Sequence, residues 1–274
     1  IPVAHIHGGE VTQGAIDEAI RHSIAKMSHL HFVANEAYAT RLMQMGEEEW
    51  RISVTGAPAL DNLRDMQLPH RREVWNKFNL REQSRKLLVT YHPVTLEAGQ
   101  AQIQINNLCA ALERLGDIDI VFTYPNADTS NRVIVNHIEQ YCRQNANSQC
   151  FKNLGVDYYG LLSAVDVMVG NSSSGIIEAP HFNLPVVNIG VRQQGRIKGA
   201  NVIDCGYGID AICSAIRKAL SPEFGKAISG LKNPYGDGKA SERIVERLAC
   251  VELNNRLLFK NFIDRQCISE AIAV

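Results

Sequence analysis

Val165-Asp166-Val167-Met168-Val169-Gly170-Asn171-Ser172-Ser173-Ser174-Gly175-Ile176-Ile177-Glu178 is the most informative stretch of the chain. A short apolar run ends at Gly170, three serines follow, and a helix begins. An uninterrupted apolar run of this length fits a strand covered on both faces. A hydroxyl at a helix start accepts from the free backbone N–H groups there. A strand feeding a helix is the building unit of a parallel α/β sheet. Ligands of such sheets sit at the carboxyl ends of the strands, and the free donors and dipole of a helix start attract anions. The ordinary alternative is a plain serine cap; three serines in a row past a strand end favour the anion. Glu178, on the first turns of the helix, either accepts from sugar hydroxyls or complements the dipole.

The same alternation runs outward in both directions. Apolar runs at 2–6, 30–34, 52–55, 87–91, 118–123, 165–169 and 185–189 read as strands, and helical faces appear at 14–28, 100–115, 131–145, 174–182, 209–220 and 239–250. Within 14–28, Ile16, Ile20, Ile24 and Met27 fall on one face at steps of three or four. Around 64–86 the chain changes character, with Pro69 and the charged run His70-Arg71-Arg72-Glu73 before a new strand at Leu87. A domain boundary is expected there, giving a first domain over 1–75, a second over 76–250, and an amphipathic packing helix over 251–274 (Leu253, Leu257, Leu258, Phe262, Ile263).

Composition narrows the function classes. Of 274 residues, 45% are apolar and 21% charged, and 28 Lys plus Arg nearly balance 29 Asp plus Glu. That is the profile of an ordinary folded protein, not a disordered one. It lacks the dense basic field that holds a protein to nucleic acid or an anionic membrane. Seven scattered cysteines, Cys109, Cys142, Cys150, Cys205, Cys213, Cys250 and Cys267, form no C-x-x-C pair, which reads as reduced thiols in a cytoplasmic protein. No run approaches the roughly 20 apolar residues of a membrane span, and no secretory signal is expected. The chain opens at Ile1 directly on a strand-like run, from which an upstream part is expected. Walker A, G-x-G-x-x-G, H-E-x-x-H and G-x-S-x-G motifs do not occur, which disfavours nucleoside triphosphatases, dinucleotide oxidoreductases, zincins and α/β-hydrolases.

Chemistry-bearing residues gather in five places. His5-Ile6-His7-Gly8-Gly9-Glu10 and Ile16-Asp17-Glu18-Ala19-Ile20-Arg21-His22 open the chain. Period-two alternation puts His5 and His7 on one strand face; an H-x-H pair can ligate metal, but no third ligand is suitably spaced and no metal is expected. Asp17 and Arg21 stand four apart on a helix, ordinarily a solvated ion pair. The density of histidines, carboxylates and an arginine instead suits proton transfer beside an anion. His92 follows strand 87–91, stopped by Pro93. Tyr124-Pro125-Asn126-Ala127-Asp128 ends the next strand, with Arg132 one turn into the following helix. Asn188-Ile189-Gly190-Val191-Arg192-Gln193-Gln194-Gly195-Arg196 places two arginines in a loop suited to pyrophosphate. With the serine triplet, these lie past strand carboxyl ends and are expected to converge on one crevice.

Together with Asn233-Pro234-Tyr235-Gly236-Asp237-Gly238, these motifs resemble the hydrolysing UDP-N-acetylglucosamine 2-epimerases of sialic-acid and related nonulosonate synthesis, over nearly the whole chain. The resemblance implies an α/β, glycosyltransferase-B-like architecture of two Rossmann-like domains, with UDP between them and held mostly by the second. Residues 1–75 would be the C-terminal part of the first domain. It implies removal of the sugar C2 proton with loss of UDP, giving a 2-acetamidoglucal, and then addition of water to release N-acetylmannosamine, with no cofactor or metal. By the same resemblance Ser172 and Ser173 hold phosphate, His92 lies near the pyrophosphate and Glu178 takes the ribose hydroxyls. Asn126 and Arg132 are polar contacts, Leu154 meets the uracil through its backbone, and Arg192 is a ligand residue. Asp17 matches an acid/base position, with Arg21 beside it.

Two departures qualify the match. Where some relatives carry Glu in the first motif this chain has His7, so either His7 takes over the proton role or Glu10 and Asp17 share it. Family members also begin with more of the first domain, including an acidic residue and an Arg that meet substrate. The 274 residues alone are therefore expected to bind UDP weakly and turn over poorly or not at all. The resemblance further implies a homo-dimer or tetramer formed through the first domain's helices, to which 14–45 belong. It leaves open UDP-N-acetylglucosamine or a UDP-2,4-diacetamido-trideoxy sugar as substrate, a non-hydrolysing epimerase, and an inactive UDP-sugar-binding protein.

Overall fold

Every strand pairing in the computed structural model, which describes residues 1–13, 16–94, 97, 99–126 and 131–264, is parallel. The strands belong to two units. One takes residues 1–10, 17–61 and 235 onward, and the other takes 62–234 with a short piece around 11–16.

The first unit is built on β1 (Ala4–Ile6), β2 (Leu30–Val33) and β3 (Ile52–Val54), in the spatial order β1-β2-β3. Helix α1 (Asp17–Met27) joins the first two strands and α2 (Glu36–Gln44) follows β2. Asn35 caps α2 by accepting from the Tyr38 N–H at 3.2 Å. Arg51, fully buried, spends its guanidinium N–H groups on Glu48 and on the carbonyls of His29, Arg256, Leu257 and Phe259, at 2.6–3.1 Å. A buried cation is tolerable only when so satisfied, and here it ties the C-terminal segment to the lead-in of β3.

α3 (Asp61–Arg64) begins on the last residue of the first unit's middle stretch and runs into the second unit, where α4 (Arg71–Lys77) precedes β4 (Arg85–Thr90), α5 (Ala101–Glu113), β5 (Ile118–Thr123), α6 (Asn131–Gln144), β6 (Ser148–Phe151), α7 (Asp157–Ala164) and β7 (Val167–Gly170). There follow α8 (Ser174–Ile177), β8 (Val186–Ile189), β9 (Val202–Cys205), α9 (Ile209–Ala219) and α10 (Pro222–Ala227). The sheet order β6-β5-β4-β7-β8-β9 is that of a doubly wound Rossmann sheet. Alternation along the strands feeds two cores. Leu87, Val89, Val167 and Val169 pack with α5, α6 and α9, whereas Leu88 and Met168 pack with α4 and α7.

Several expectations are revised. β6 and β9 were not visible as apolar runs; both are edge strands with polar residues (Ser148, Gln149, Asp204), because an edge is covered less completely than the middle. The helix expected over 174–182 is α8 followed by a 3-10 turn at Ala179–Phe182, since Pro180 has no N–H to continue it. The apolar face of α1 is on a helix but not in a core: Ile16, Ile20 and Met27 are 64%, 51% and 66% exposed, and Ala25 is the buried residue. The stretch 64–86 holds α4, a helix of the second unit, whose Arg71 and Trp75 both donate to the Ala164 carbonyl at 2.9 Å. The chain returns to the first unit at Tyr235, so α11 (Ala240–Cys250), assigned to the second domain by sequence, packs in the first. Asp61 accepts from the Ala240 and Ser241 N–H groups at its start, at 2.9 and 2.5 Å. In the tail, α12 (Asn255–Leu258) is the single helix among the described residues beyond α11. Gly14, Ala15, Thr95, Ala127, Asp128, Cys267 and the end of the tail lie outside the described residues. Among the described cysteines Cys213 is buried, Cys250 exposed and the rest half-buried. No helix among the described residues is long and apolar enough to cross a membrane.

Candidate active site

The order of the second sheet puts its topological switch between β4 and β7, the place where open α/β sheets bind ligands. Asn171 is the residue that joins these two strand ends. Its backbone N–H donates to the Thr90 carbonyl at 3.1 Å. Its side chain closes a two-way link with His92, accepting from the His92 N–H at 2.7 Å and donating to the His92 carbonyl at 2.8 Å. Its carbonyl receives Arg192 Nη1 at 3.1 Å and Gln193 Nε2 at 2.8 Å. Gly170 makes this junction possible: it sits at φ +136, and a Cβ there would lie 1.9 Å from the Thr90 oxygen.

His92 is held as completely by its ring. Nδ1 accepts from the Asn126 backbone N–H at 3.2 Å, so a neutral ring carries its proton on Nε2. Burial, followed by the Arg192 cation, pushes its pKa down to about 3. At neutral pH the site therefore contains an uncharged imidazole N–H donor beside a guanidinium.

A cavity of about 340 Å³ opens at these strand ends. His92, Asn126, Leu154, Ser172 and Glu178 line it, so five of the sequence candidates from four separate segments meet in one place. Ser172 Oγ accepts from the Ser174 N–H at 3.3 Å and is partly committed to the backbone. Ser173 stands at the N-cap of α8 and its side chain makes no capping bond. Arg132 is exposed on the first turn of α6 and is not part of the cavity lining. Lys152, Tyr158 and Tyr159 line the cavity without having been marked by sequence. Burial raises the Tyr158 and Tyr159 hydroxyls above the usual phenol range, and the Glu178 carboxylate beside them adds to it. A paired tyrosine after a short strand was the available signal, and it was lost because β6 itself was not seen.

The remaining candidates belong to the first unit. β1 ends at Ile6, and His7 turns into the left-handed region at φ 64, so the alternation expected to pair His5 with His7 stops one residue short. The His7 N–H is fixed to the Phe32 carbonyl at 3.0 Å. The turn brings His7 Nδ1 to 2.6 Å from Glu10 Oε1, whose side chain is 2% exposed. Arg21 Nη1 donates to the Glu10 carbonyl at 3.4 Å and approaches Glu18 at 3.9 Å. Asp17 opens α1 and is exposed. His5 stands edge-on to His31 with ring centroids 6.4 Å apart; burial, then the His31 and Arg21 charges, lower its pKa to about 4. No cluster of three or more metal-ligating side chains occurs among the described residues.

Comparison with known proteins identifies the family and the fold. Residues 1–249 match the family model described as UDP-N-acetylglucosamine 2-epimerase. The chain is 40% identical over 267 residues to the GDP/UDP-N,N'-diacetylbacillosamine 2-epimerase (hydrolyzing) of Campylobacter jejuni, covering 96% of this chain and 69% of that protein. It is 40% identical over 261 residues to the UDP-N,N'-diacetylbacillosamine 2-epimerase (hydrolyzing) of Legionella pneumophila, covering 95% and 67%. Among solved structures, the Neisseria meningitidis UDP-GlcNAc 2-epimerase bound to UDP-GlcNAc superimposes with a TM-score of 0.78 at 21% identity, over 91% of this chain and 70% of that one. An S. aureus MnaA–UDP co-structure gives 0.76 at 21% identity, over 90% and 67%. The fold class is thus the glycosyltransferase-B-like one, with two Rossmann-like parts, and the chain belongs to the UDP-N-acetylglucosamine 2-epimerase family.

Proposed function

We propose that the protein is a hydrolysing 2-epimerase that takes a UDP-activated 2-acetamido sugar to UDP and the free 2-epimer. The meeting of His92, Asn126, Ser172 and Glu178 in one cavity at the switch point carries this reading, and the similarity to two hydrolysing relatives supports the hydrolytic outcome. UDP-N,N'-diacetylbacillosamine and UDP-N-acetylglucosamine are the two substrates to test, since relatives of both names match.

In this reading the second unit holds the nucleotide. Leu154 meets the base, Glu178 accepts from the ribose hydroxyls, Asn126 and Arg132 add polar contacts, and Ser172 and Ser173 donate to phosphate oxygens. His92 Nε2–H and Arg192 stabilise the negative charge that develops on the phosphate as the C1–O bond breaks. A neutral donor serves this purpose well, because it needs no proton uptake and is not itself titrated near pH 7.

The first unit supplies the proton transfers. The buried Glu10 carboxylate accepts the Nδ1–H of His7 and fixes the tautomer in which Nε2 is basic. His7 Nε2 removes the C2 proton, the C1=C2 bond forms, and UDP departs. His7 then releases its proton to solvent; water adds its OH at C1 and its other proton is relayed to the opposite face of C2, a relay assigned to Asp17, exposed and beside Arg21 on α1. The His7–Glu10 pair thereby replaces the Glu that some relatives carry at the third position of the first motif, where this chain has His7. Incubation with each UDP-sugar in deuterated water, followed by NMR of the products, tests the reading. Whatever product forms, however slowly, is expected to be free UDP and a free 2-epimeric sugar carrying deuterium at C2; a product still bound to UDP, or an unlabelled C2, contradicts it.

A further inference from the structure

The loop after β8 is anchored by side chains outside the contacts assigned to the nucleotide. Gly190 turns with φ +74, and a Cβ there would lie 2.1–2.3 Å from the Tyr207 ring, so the ring packs against bare backbone. Tyr207 Oη accepts from the Val191 N–H at 3.2 Å and donates to Glu97 Oε2 at 2.6 Å. The same carboxylate oxygen receives Gln104 Nε2 at 2.6 Å, and Gln104 Oε1 accepts from the buried Tyr91 hydroxyl at 3.0 Å. Asn107 Nδ2 donates to the Tyr207 carbonyl at 3.1 Å. The Val191 amide, second in the loop, is thus joined through one phenol and one carboxylate to α5. One and two residues further on, Arg192 and Gln193 meet the Asn171 carbonyl at the switch point. Burial and then the Glu97 hydrogen bond push the phenol up to about 12, so it remains a donor across the physiological range.

We propose that Tyr207 and Glu97 are positioning residues for the diphosphate site: they hold the segment from Val191 to Gln193 so that Arg192 is presented at the joined ends of β4 and β7. The proposal rests on the nucleotide reading above and extends it to two side chains that do not line the cavity. Loss of this anchor leaves Arg192 free to sample other positions, and the binding energy then includes the cost of ordering the loop.

UDP titrations by calorimetry on the protein and its variants test this. Tyr207→Phe and Glu97→Ala are expected to weaken UDP binding about three- to tenfold, the net worth of about one ordinary hydrogen bond. Glu97→Gln, which keeps an acceptor oxygen, should recover most of that loss. In an Arg192→Ala background Tyr207→Phe should have almost no further effect, since the two act through one loop. A purely structural role predicts instead the same fractional loss with or without Arg192, and that result overturns the proposal. Wild-type UDP binding with unchanged affinity in both Tyr207→Phe and Glu97→Ala also overturns it and leaves the nucleotide reading standing. Absence of UDP binding in the wild-type protein removes the nucleotide reading and this proposal together.

Discussion

His92 is committed before any ligand arrives: its backbone is bound on both sides by Asn171 and its Nδ1 by Asn126. Because the folded state holds this ring neutral with a pKa of about 3 against 6.5 for a free histidine, the unfolded chain binds more protons between those values. Stability therefore rises with pH from about 3 to about 6.5 and is flat with respect to this group above that. Urea unfolding midpoints of wild type and His92→Gln, measured at pH 4.5 and 7, should differ less between the two pH values in the variant; an identical pH difference in both would contradict the assignment. The residue scale also shows where sequence is informative. His92, Asn126, Ser172 and Glu178 were legible because each follows an apolar run closely enough to be placed at its carboxyl end. Asn171, Tyr158 and Tyr207 were not, because their roles arise from partners 79, 16 and 110 residues away, or from a helix whose preceding strand was not visible. His7 was legible as a residue but not as a geometry, since the left-handed turn that gives it Glu10 breaks the alternation used to place it.

At the scale of elements, central strands announced themselves and edge strands did not. β4, β5, β7 and β8 lie inside the sheet and read as apolar runs; β6 and β9 close its two sides and mix polar with apolar residues. Helix α1 shows the converse, a periodic apolar face that periodicity alone assigns to a core and that the structure leaves exposed. The junction of β4 with β7 is the element pair on which the site depends, and Gly170 is its tightest point. Gly170→Ala places a methyl group 1.9 Å from the Thr90 oxygen in a backbone conformation that L side chains rarely adopt. It is expected to cost more than about 2 kcal/mol of stability. Chemical denaturation measures this directly; a loss under about 0.5 kcal/mol would show that the strand ends are not held as tightly as Asn171 suggests.

On the scale of the whole molecule, the chain's linear order is not its order in space. The first unit is assembled from both ends of the chain, with Asp61 at the start of α11 and Arg51 holding the segment Arg256–Phe259. A sequence boundary at 75/76 could not foresee this, because the contacts that recruit α11 are hydrogen bonds to side chains some 180 residues earlier. The division of labour proposed for the two units, nucleotide on the second and proton transfer on the first, depends on the diphosphate docking where β4 and β7 end. A crystal structure of the protein with UDP bound is the most direct test. Phosphate oxygens within hydrogen-bonding distance of Ser172, Ser173 and His92 Nε2, with the base toward Leu154, are predicted. Electron density for UDP at any other position, with the serine hydroxyls bonded only to their own backbone, would contradict the account.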